Sequence, residues 1–373
     1  MITLKEVSNK SELKAFVTFP FKLYKDSKYW VPPIISDEIA TLSADKNPAF
    51  LHADAHFLLA YQNDAIVGRV AAIVNWTEIN EQKVKKMRFG WFDAIDDIEV
   101  SKVLLEKVID IGKSHNLEFI EGPVGFSNLD KNGALTYGFN HIGTMATWYN
   151  HPYYITHFEE LGFLPEKEYI ESKFSFKTIP LERFTRVNDI ITKRFKLRPS
   201  KFTKTKEIVP HIDSMFDLFN KSYSKLSTFV PVSDAQRDYF KQKFINFINP
   251  EYIKFVFDEN DNMVAFAIVL PSFSQALQET KGKLFPFGFL KLLKAKKNSK
   301  TVLFYLIGVE PHYQNKGVTA IIFNEFYKTF TKQDIETCIR LPELSDNFAS
   351  QQIWKDFDCE IIKRRKTFRK DLI

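Results

Sequence analysis

Cysteine is nearly absent from this chain: Cys338 and Cys359 are the two in 373 residues, too few for a disulfide framework or a zinc site. Long apolar runs are missing as well. The longest, such as Met263 to Leu270 and Val302 to Val309, fall well short of the ~18 residues a membrane span needs. Met1 to Ala15 has no positively charged start followed by an apolar stretch, so no signal peptide is expected and a reducing cytoplasm fits. Glycine is scarce, with 13 against 37 phenylalanines, which points to a bulky core and room for an apolar binding groove. Acid is missing from one place in particular, since Lys281 to Lys300 holds seven lysines and no carboxylate.

The formal charge is +6, but it is uneven. Lys281 to Lys300 and Ile361 to Ile373 carry +12 between them, so the remainder sums to −6. Two basic patches on a mildly acidic protein exclude a general nucleic-acid binder, and no DNA partner is expected. A hydrophobic fraction of 45% with 26% charged residues rules out a disordered, collagen-like or coiled-coil chain. At ~100–200 residues per domain the length predicts two domains.

The order of elements repeats. Lys10 to Tyr24 has helical spacing and stops at Pro32 and Pro33. Strands are expected over His56 to Tyr61, Ile66 to Val74 and Arg88 to Asp93, then a helix with Ile98, Val103, Leu104, Val108 and Ile111 on one face, a strand from Leu117 to Glu121, a helix from Tyr153 to Leu161 and a last strand. The second half begins with a helix from Ile212 to Tyr223 and strands Ile253 to Asp258 and Met263 to Leu270. After an insertion come strand Val302 to Val309, helix Gly317 to Phe330, strand Ile335 to Leu341, helix Asn347 to Phe357 and strand Glu360 to Lys370. The reading is two copies of one α+β unit, 1–176 and 177–373, joined through a helix of mixed polarity between Pro180 and Pro199.

Leu306 to Phe326 is the stretch that carries chemistry. An apolar strand runs into Pro311, a polar turn follows, and Gly317 opens a helix. Free N–H groups at such a helix start converge on one point and suit an anion. Gly317 admits close approach of a phosphate and Lys316 adds charge. The other reading is an ordinary strand-to-helix connection with a solvated lysine. An acidic side chain at Gly317 is expected to be tolerated by the fold yet to repel a phosphate.

V-E-P-H-Y-Q-N-K-G-V-T at Val309 to Thr319 resembles the acyl-CoA pyrophosphate motif of the GNAT superfamily of N-acyltransferases, Gln/Arg-x-x-Gly-x-Gly/Ala. Gln314 and Gly317 match its first two fixed positions and Thr319 departs from the third. Asn347 to Trp354 resembles the superfamily's N-x-x-A-x-x-L-Y helix, with Ser350 at the small position and Trp354 where a tyrosine commonly acts as general acid. Indole cannot donate that proton at neutral pH. F-P-x-x-L-Y-x-D-x-x-x-W-V-P-P at Phe19 to Pro33, E-G-P at Glu121 to Pro123, Y-N-x-P-Y-Y at Tyr149 to Tyr154 and E-x-L-G-F at Glu159 to Phe163 are similar to a bacterial group of tandem GNAT-like proteins. The resemblance spans nearly the whole chain. It implies two GNAT-like domains, each a mixed, mostly antiparallel sheet flanked by helices, with strands Val302 to Val309 and Ile335 to Leu341 splaying apart. It implies acyl-CoA, acetyl or longer, held by Gly308, Val309, Gln314, Asn315, Lys316, Gly317, Val318, Thr319 and Asn347. It supplies no acceptor.

In the first copy Asp96, Asp97 and Glu99 stand where the second has its Gln, Lys and Gly. Acid in a helix's first turn repels a pyrophosphate, so this half is expected to be structural and to complete a substrate cleft. Trp148 to Tyr154, with Tyr149 and Tyr153, and the loop Gly122 to Asn128 read either as ligand lining or as core and turn. His141, His151 and His157 lack companions at metal-ligand spacing, and no metal is assigned. Attack of an amine on a thioester needs an acceptor for the amine proton, for which Glu310 and Glu343 are the candidates, and an N–H donor for the oxyanion, for which Gly308 and Val309 serve. The expected function is acyl transfer from acyl-CoA, or from an acyl carrier protein, to a small-molecule amine. A non-catalytic binding module and an aminoacyl-tRNA-dependent transferase are the rivals. The insertion Pro271 to Lys300 reads as a lid, a membrane-surface helix or a loop on the core.

Overall fold

The computed structural model describes residues 1–372 apart from 128, 180, 227, 228, 246 and 356. The chain opens with strand β1 (Ile2–Glu6), helices α1 (Lys10–Leu23) and α2 (Ile35–Thr41), strands β2 (Ala53–Gln62) and β3 (Ala65–Asn75), and the short helix α3 (Trp76–Asn80). Strand β4 (Lys86–Ala94), helix α4 (Ile98–Ser114), strands β5 (Phe119–Gly122) and β6 (Ala134–Tyr137), helix α5 (Tyr153–Glu160) and strand β7 (Leu164–Phe174) follow. Helix α6 (Leu181–Phe195) leads to β8 (Arg198–Pro199), α7 (Ile212–Tyr223), α8 (Asp234–Phe244), β9 (Ile253–Phe257) and β10 (Met263–Pro271). The last part holds α9 (Ser274–Thr280), α10 (Gly288–Asn298), β11 (Thr301–Val309), α11 (Thr319–Lys332), β12 (Thr337–Leu344), α12 (Phe348–Trp354) and β13 (Glu360–Asp371).

Local chemistry sets many of these boundaries. Asn9, Asp97 and Asn347 each accept an N–H from the first turn of α1, α4 and α12, and Ser233 and Gln236 form a reciprocal cap at α8. The apolar face of α11 reads Ile321, Ile322, Phe326 and Phe330, each no more than 1% exposed. At about 2 kcal/mol per buried side chain, that face rather than helix propensity holds α11 against the sheet.

The strands form one sheet in the order β1-β2-β3-β4-β5-β13-β7-β12-β11-β10-β9-β8, with β6 also on β13. The pairs β4–β5 and β11–β12 are parallel and the rest antiparallel. The repeat expected from the sequence is visible as two runs of five strands. Their sixth strands are exchanged. β13, last in the chain, pairs with β5, and β7 pairs with β12, while β7 and β13 lie side by side at the centre.

Buried charge marks this junction. Glu171 on β7 meets Arg365 and, at 3.6 Å, Lys363 on β13. Glu121 on β5 meets Lys86 on β4 at 3.2 Å, Lys167 on β7 at 2.6 Å and the Thr367 hydroxyl on β13 at 3.0 Å. Burial alone would raise the Glu121 carboxyl, but Lys86 and Lys167 outweigh it and hold the group down to about 2.

Candidate active site

Strands β11 and β12 are paired from Thr301↔Thr337 to Phe304↔Arg340, where the ladder ends. The cause lies in both strands. β11 continues along β10 with a bulge at Tyr305, between Phe304 and Leu306, and a bulge bends its strand. β12 continues along β7 with its own irregularity between Arg340 and Glu343. The gap faces two carbonyls of β11, since Ile307 accepts the Tyr223 hydroxyl at 3.0 Å and Val309 accepts Gln314 Nε2 at 3.1 Å. A residue's N–H and C=O share one side of an extended strand, and neighbours alternate. The N–H groups of Ile307 and Val309 therefore face the gap too, whereas that of Gly308 faces β10. Gly308 is small for packing: a Cβ there would run into the Phe266 ring and lie 2.8 Å from Ser222 Oγ.

Past β11 the chain makes a 3₁₀ turn, Pro311–Tyr313, capped by Glu310, whose carboxylate accepts the His312 N–H at 2.7 Å. Among the described residues, no acceptor is bonded to the N–H groups of Asn315, Gly317, Val318 and Thr319. Lys316 Nζ lies 5.7 Å from the Phe195 ring and 5.9 Å from that of Tyr313. The helix begins at Thr319 rather than at Gly317, and Gly317 has a φ of +80°. Ile191 of α6 would stand 3.3 Å from a Cβ placed there. The expectation that the fold tolerates an acidic side chain at Gly317 is thus overturned, because the left-handed backbone and the close helix both penalise any side chain.

Glu343, on β12, lines the cleft between the splayed strands. Arg340 lies 2.6 Å and the Ser350 hydroxyl 2.7 Å from its Oε2, and the Trp354 indole N–H donates to Oε1 at 3.0 Å. One Oε1 lone pair is left over. Trp354 is 2% exposed, among Phe174, Phe304, Phe323 and Phe357, with the Arg340 guanidinium 4.8 Å from its ring. Asn347 lines the same cleft, and its Oδ1 accepts the Ser350 N–H as the cap of α12.

The sequence did not single out Tyr223 or Tyr169. Tyr223 ends α7 and lines the cleft, and burial, with the Glu343 carboxylate beside it, pushes its phenol up. Tyr169 enters from the exchanged strand β7, and Leu129, Asp130, Asn132 and Ala146 complete the wall from the first half. The signal for Tyr223 was its place four residues after Phe219 on a buried face.

A second chamber opens behind the cleft and shares Leu129, Tyr305 and Leu306 with it. Ile212, Met215 and Phe216 of α7, Phe255 of β9 and Ile268 and Leu270 of β10 line it, and Lys241 and the Tyr305 phenol are its polar side chains. Water inside would find few partners.

The corresponding gap in the first half is filled. β4 and β5 part after Arg88↔Glu121, but the Val124 N–H bonds to Phe89 O at 2.8 Å, and Gly90 abuts the Val124 carbonyl so closely that a Cβ would not fit. Asp97 caps α4 where an anion would sit. Tyr149 and Tyr153 lie in this half, away from the cleft. Tyr149 donates to Phe139 O at 3.4 Å and Tyr153 to Ala94 O at 2.7 Å. Glu310 is likewise not among the cleft-lining residues. Asn128 lies outside the described residues. Among the described residues, no group of three or more His, Cys, Asp or Glu side chains is arranged to hold a metal ion, and no helix is long and apolar enough to cross a membrane.

No family model matches the chain. Two curated proteins are similar over most of it. "Protein YghO" of Escherichia coli is 25% identical over 375 residues, 98% of this chain and 94% of that protein. "Bacterial ceramide synthase" of Caulobacter vibrioides is 25% identical over 319 residues, 83% of this chain and 80% of that protein. Among solved structures, a tandem GNAT protein from the clavulanic acid biosynthesis pathway superposes over 100% of this chain and 99% of its own at a TM-score of 0.59 and 8% identity. A GCN5-related N-acetyltransferase from Sphaerobacter thermophilus does so over 100% and 96% at 0.51 and 8%. At such identities the likeness concerns the fold, and the fold is two GNAT units in tandem.

Proposed function

We propose that this tandem GNAT fold, with one gap open and one filled, transfers an acyl group longer than acetyl from acyl-CoA to an amine. The observation that carries the reading is the convergence on one cleft of the Glu343 carboxylate, the Tyr223 phenol and the outward N–H group of Ile307, with that of Val309 further along the same strand edge, beside a helix start with unbonded N–H groups. The residues present fit a pyrophosphate. Gly317, Val318 and Thr319 offer N–H donors, Lys316 offers charge, and the nearby carboxylate of Glu310 is turned to the His312 N–H. Acyl-CoA supplies an activated thioester carbonyl. Glu343 accepts the amine proton through its remaining lone pair, the Val309 N–H faces the carbonyl oxygen, and the Tyr223 hydroxyl takes the proton-donating task that Trp354 cannot perform.

The apolar chamber, with about 60 Å³ free, supports an acyl group a few carbons longer than acetyl. The name of the Caulobacter relative points the same way, because ceramide is an N-acylated lipid. Titrating the protein with acetyl-CoA and with medium- and long-chain acyl-CoAs, read as the melting temperature, tests this. Longer-chain thioesters should raise it by several degrees and acetyl-CoA by less. No shift with any of them would remove the cofactor claim, and a larger shift with acetyl-CoA would remove the chain-length claim.

A further inference from the structure

The segment after β10 is built in three faces. Its inner face, Leu284, Leu292 and Ala295, packs on Val31, Ile34, Phe273, Ala276 and Leu277. The Gln278 amide donates to the carbonyls of Lys28 and Trp30, each at 2.9 Å, and Ile35 donates to Gly282 O at 3.1 Å. The segment is therefore tied to the proline-rich stretch after α1. Its outer face is apolar and uncovered: Phe285 is 79% and Phe287 72% exposed, and Leu290 and Leu293 are about half exposed. In α10, Phe289, Leu290 and Leu293 stand at i, i+1 and i+4 and share one side. The third face is basic, with Lys291, Lys294 and Lys297 exposed beside that stripe; Lys291 also meets Glu279 at 2.8 Å.

A soluble surface rarely leaves large aromatic rings protruding side by side without a partner. We propose that Lys281–Lys300 docks this protein on an anionic lipid membrane, with Phe285, Phe287 and Leu290 inserted among the acyl chains and the lysines against headgroup phosphates. Protruding rings ringed by cations fit a deformable apolar layer beneath a negative surface. An acidic carrier protein would match the lysines but would need a preformed pocket for each ring.

The interior supports the same orientation. A groove along one side of α10, lined by Phe273, Leu284, Leu292 and the edge of the half-exposed Leu293, shares Asp37 and Lys243 with a deeper recess. That recess in turn shares Leu129, Asp130, Ala146 and Tyr305 with the cleft. Recesses with shared walls thus lie in series between the docking segment and the cleft of Glu343, where a lipid-borne acceptor would enter. The docking does not depend on the proposed chemistry, and the two fail separately.

Co-sedimentation of the full chain with phosphatidylcholine vesicles, with and without phosphatidylglycerol, tests the docking. The parent should pellet with the anionic vesicles and release as salt rises. Phe285→Ser/Phe287→Ser should weaken this about tenfold or more, and Lys291→Glu/Lys294→Glu/Lys297→Glu should do so by at least as much. The serine variant should melt with the parent, since both rings are exposed, and the lysine variant within a few degrees of it, since it gives up only the surface pair Lys291–Glu279. A parent that stays in the supernatant overturns the proposal, as does a serine variant that pellets like the parent. Binding to a purified acyl carrier protein that the lysine changes abolish, with no vesicle binding, would assign the surface to a protein instead.

Discussion

Trp354 is the residue whose role changes most between sequence and structure. Set where a phenol was expected, it is buried, and its N–H holds Glu343. Glu343→Gln should lower kcat by about a hundredfold or more while leaving acyl-CoA binding near the parent's, measured by steady-state kinetics and by titration. Trp354→Phe leaves an acceptor on Glu343 unpaired. A stability loss of about 1 kcal/mol and a smaller fall in kcat should result. At the phosphate loop the informative change is Lys316→Glu, which should weaken acyl-CoA binding without moving the melting temperature. Gly317→Ala should cost about 1 kcal/mol even without ligand, because its φ of +80° is costly for any other residue. The loop and Glu343 were legible from their order in the sequence. Tyr223 was not, because one tyrosine on an amphipathic helix looks the same whether it faces core or cleft.

Helix α7 and strands β9 and β10 form the walls of the apolar chamber. Helical and strand periodicity marked all of them, and the boundaries of α7 match the expected Ile212 to Tyr223. Periodicity says which face is apolar but not whether two such faces meet without a void, so the chamber itself could not be foreseen. Met215→Trp should fill it. Activity with longer-chain thioesters should fall relative to short-chain ones, at a stability cost of about 1–3 kcal/mol from overpacking, with the ratio of kcat/KM across chain lengths as the readout. The splay of β11 from β12 was expected, whereas its filled counterpart in the first half depends on the Val124 contact, which no local pattern encodes.

Across the whole molecule the exchanged strands join the halves into one sheet. Two copies were readable in the order of elements, but pairing partners are non-local and leave no trace in periodicity. Glu121 ties β5 to β4, β7 and β13, and its carboxyl, held down to about 2 from 4.5, links that junction to pH. Its contribution, about 3 kcal/mol by linkage, is fully present above pH 4.5 and is lost as pH falls toward 2. Glu121→Gln should flatten the acid dependence of unfolding over that window, measured by denaturant titration at each pH, although it lowers stability at neutral pH by stranding Lys167 and leaving Lys86 with Glu78 alone.

The position of β13 also governs how the protein can be made. A ribosome delivers the first half early, yet the place beside β5 belongs to the 12 residues Glu360–Asp371, made after all the other strands of the sheet. The leading half cannot finish folding while synthesis continues and must wait with an unpaired strand edge exposed. A chain stopped before Glu360 then leaves β5 and β7 each without the strand that joins them, and synthesis through β13 becomes the condition for a native sheet.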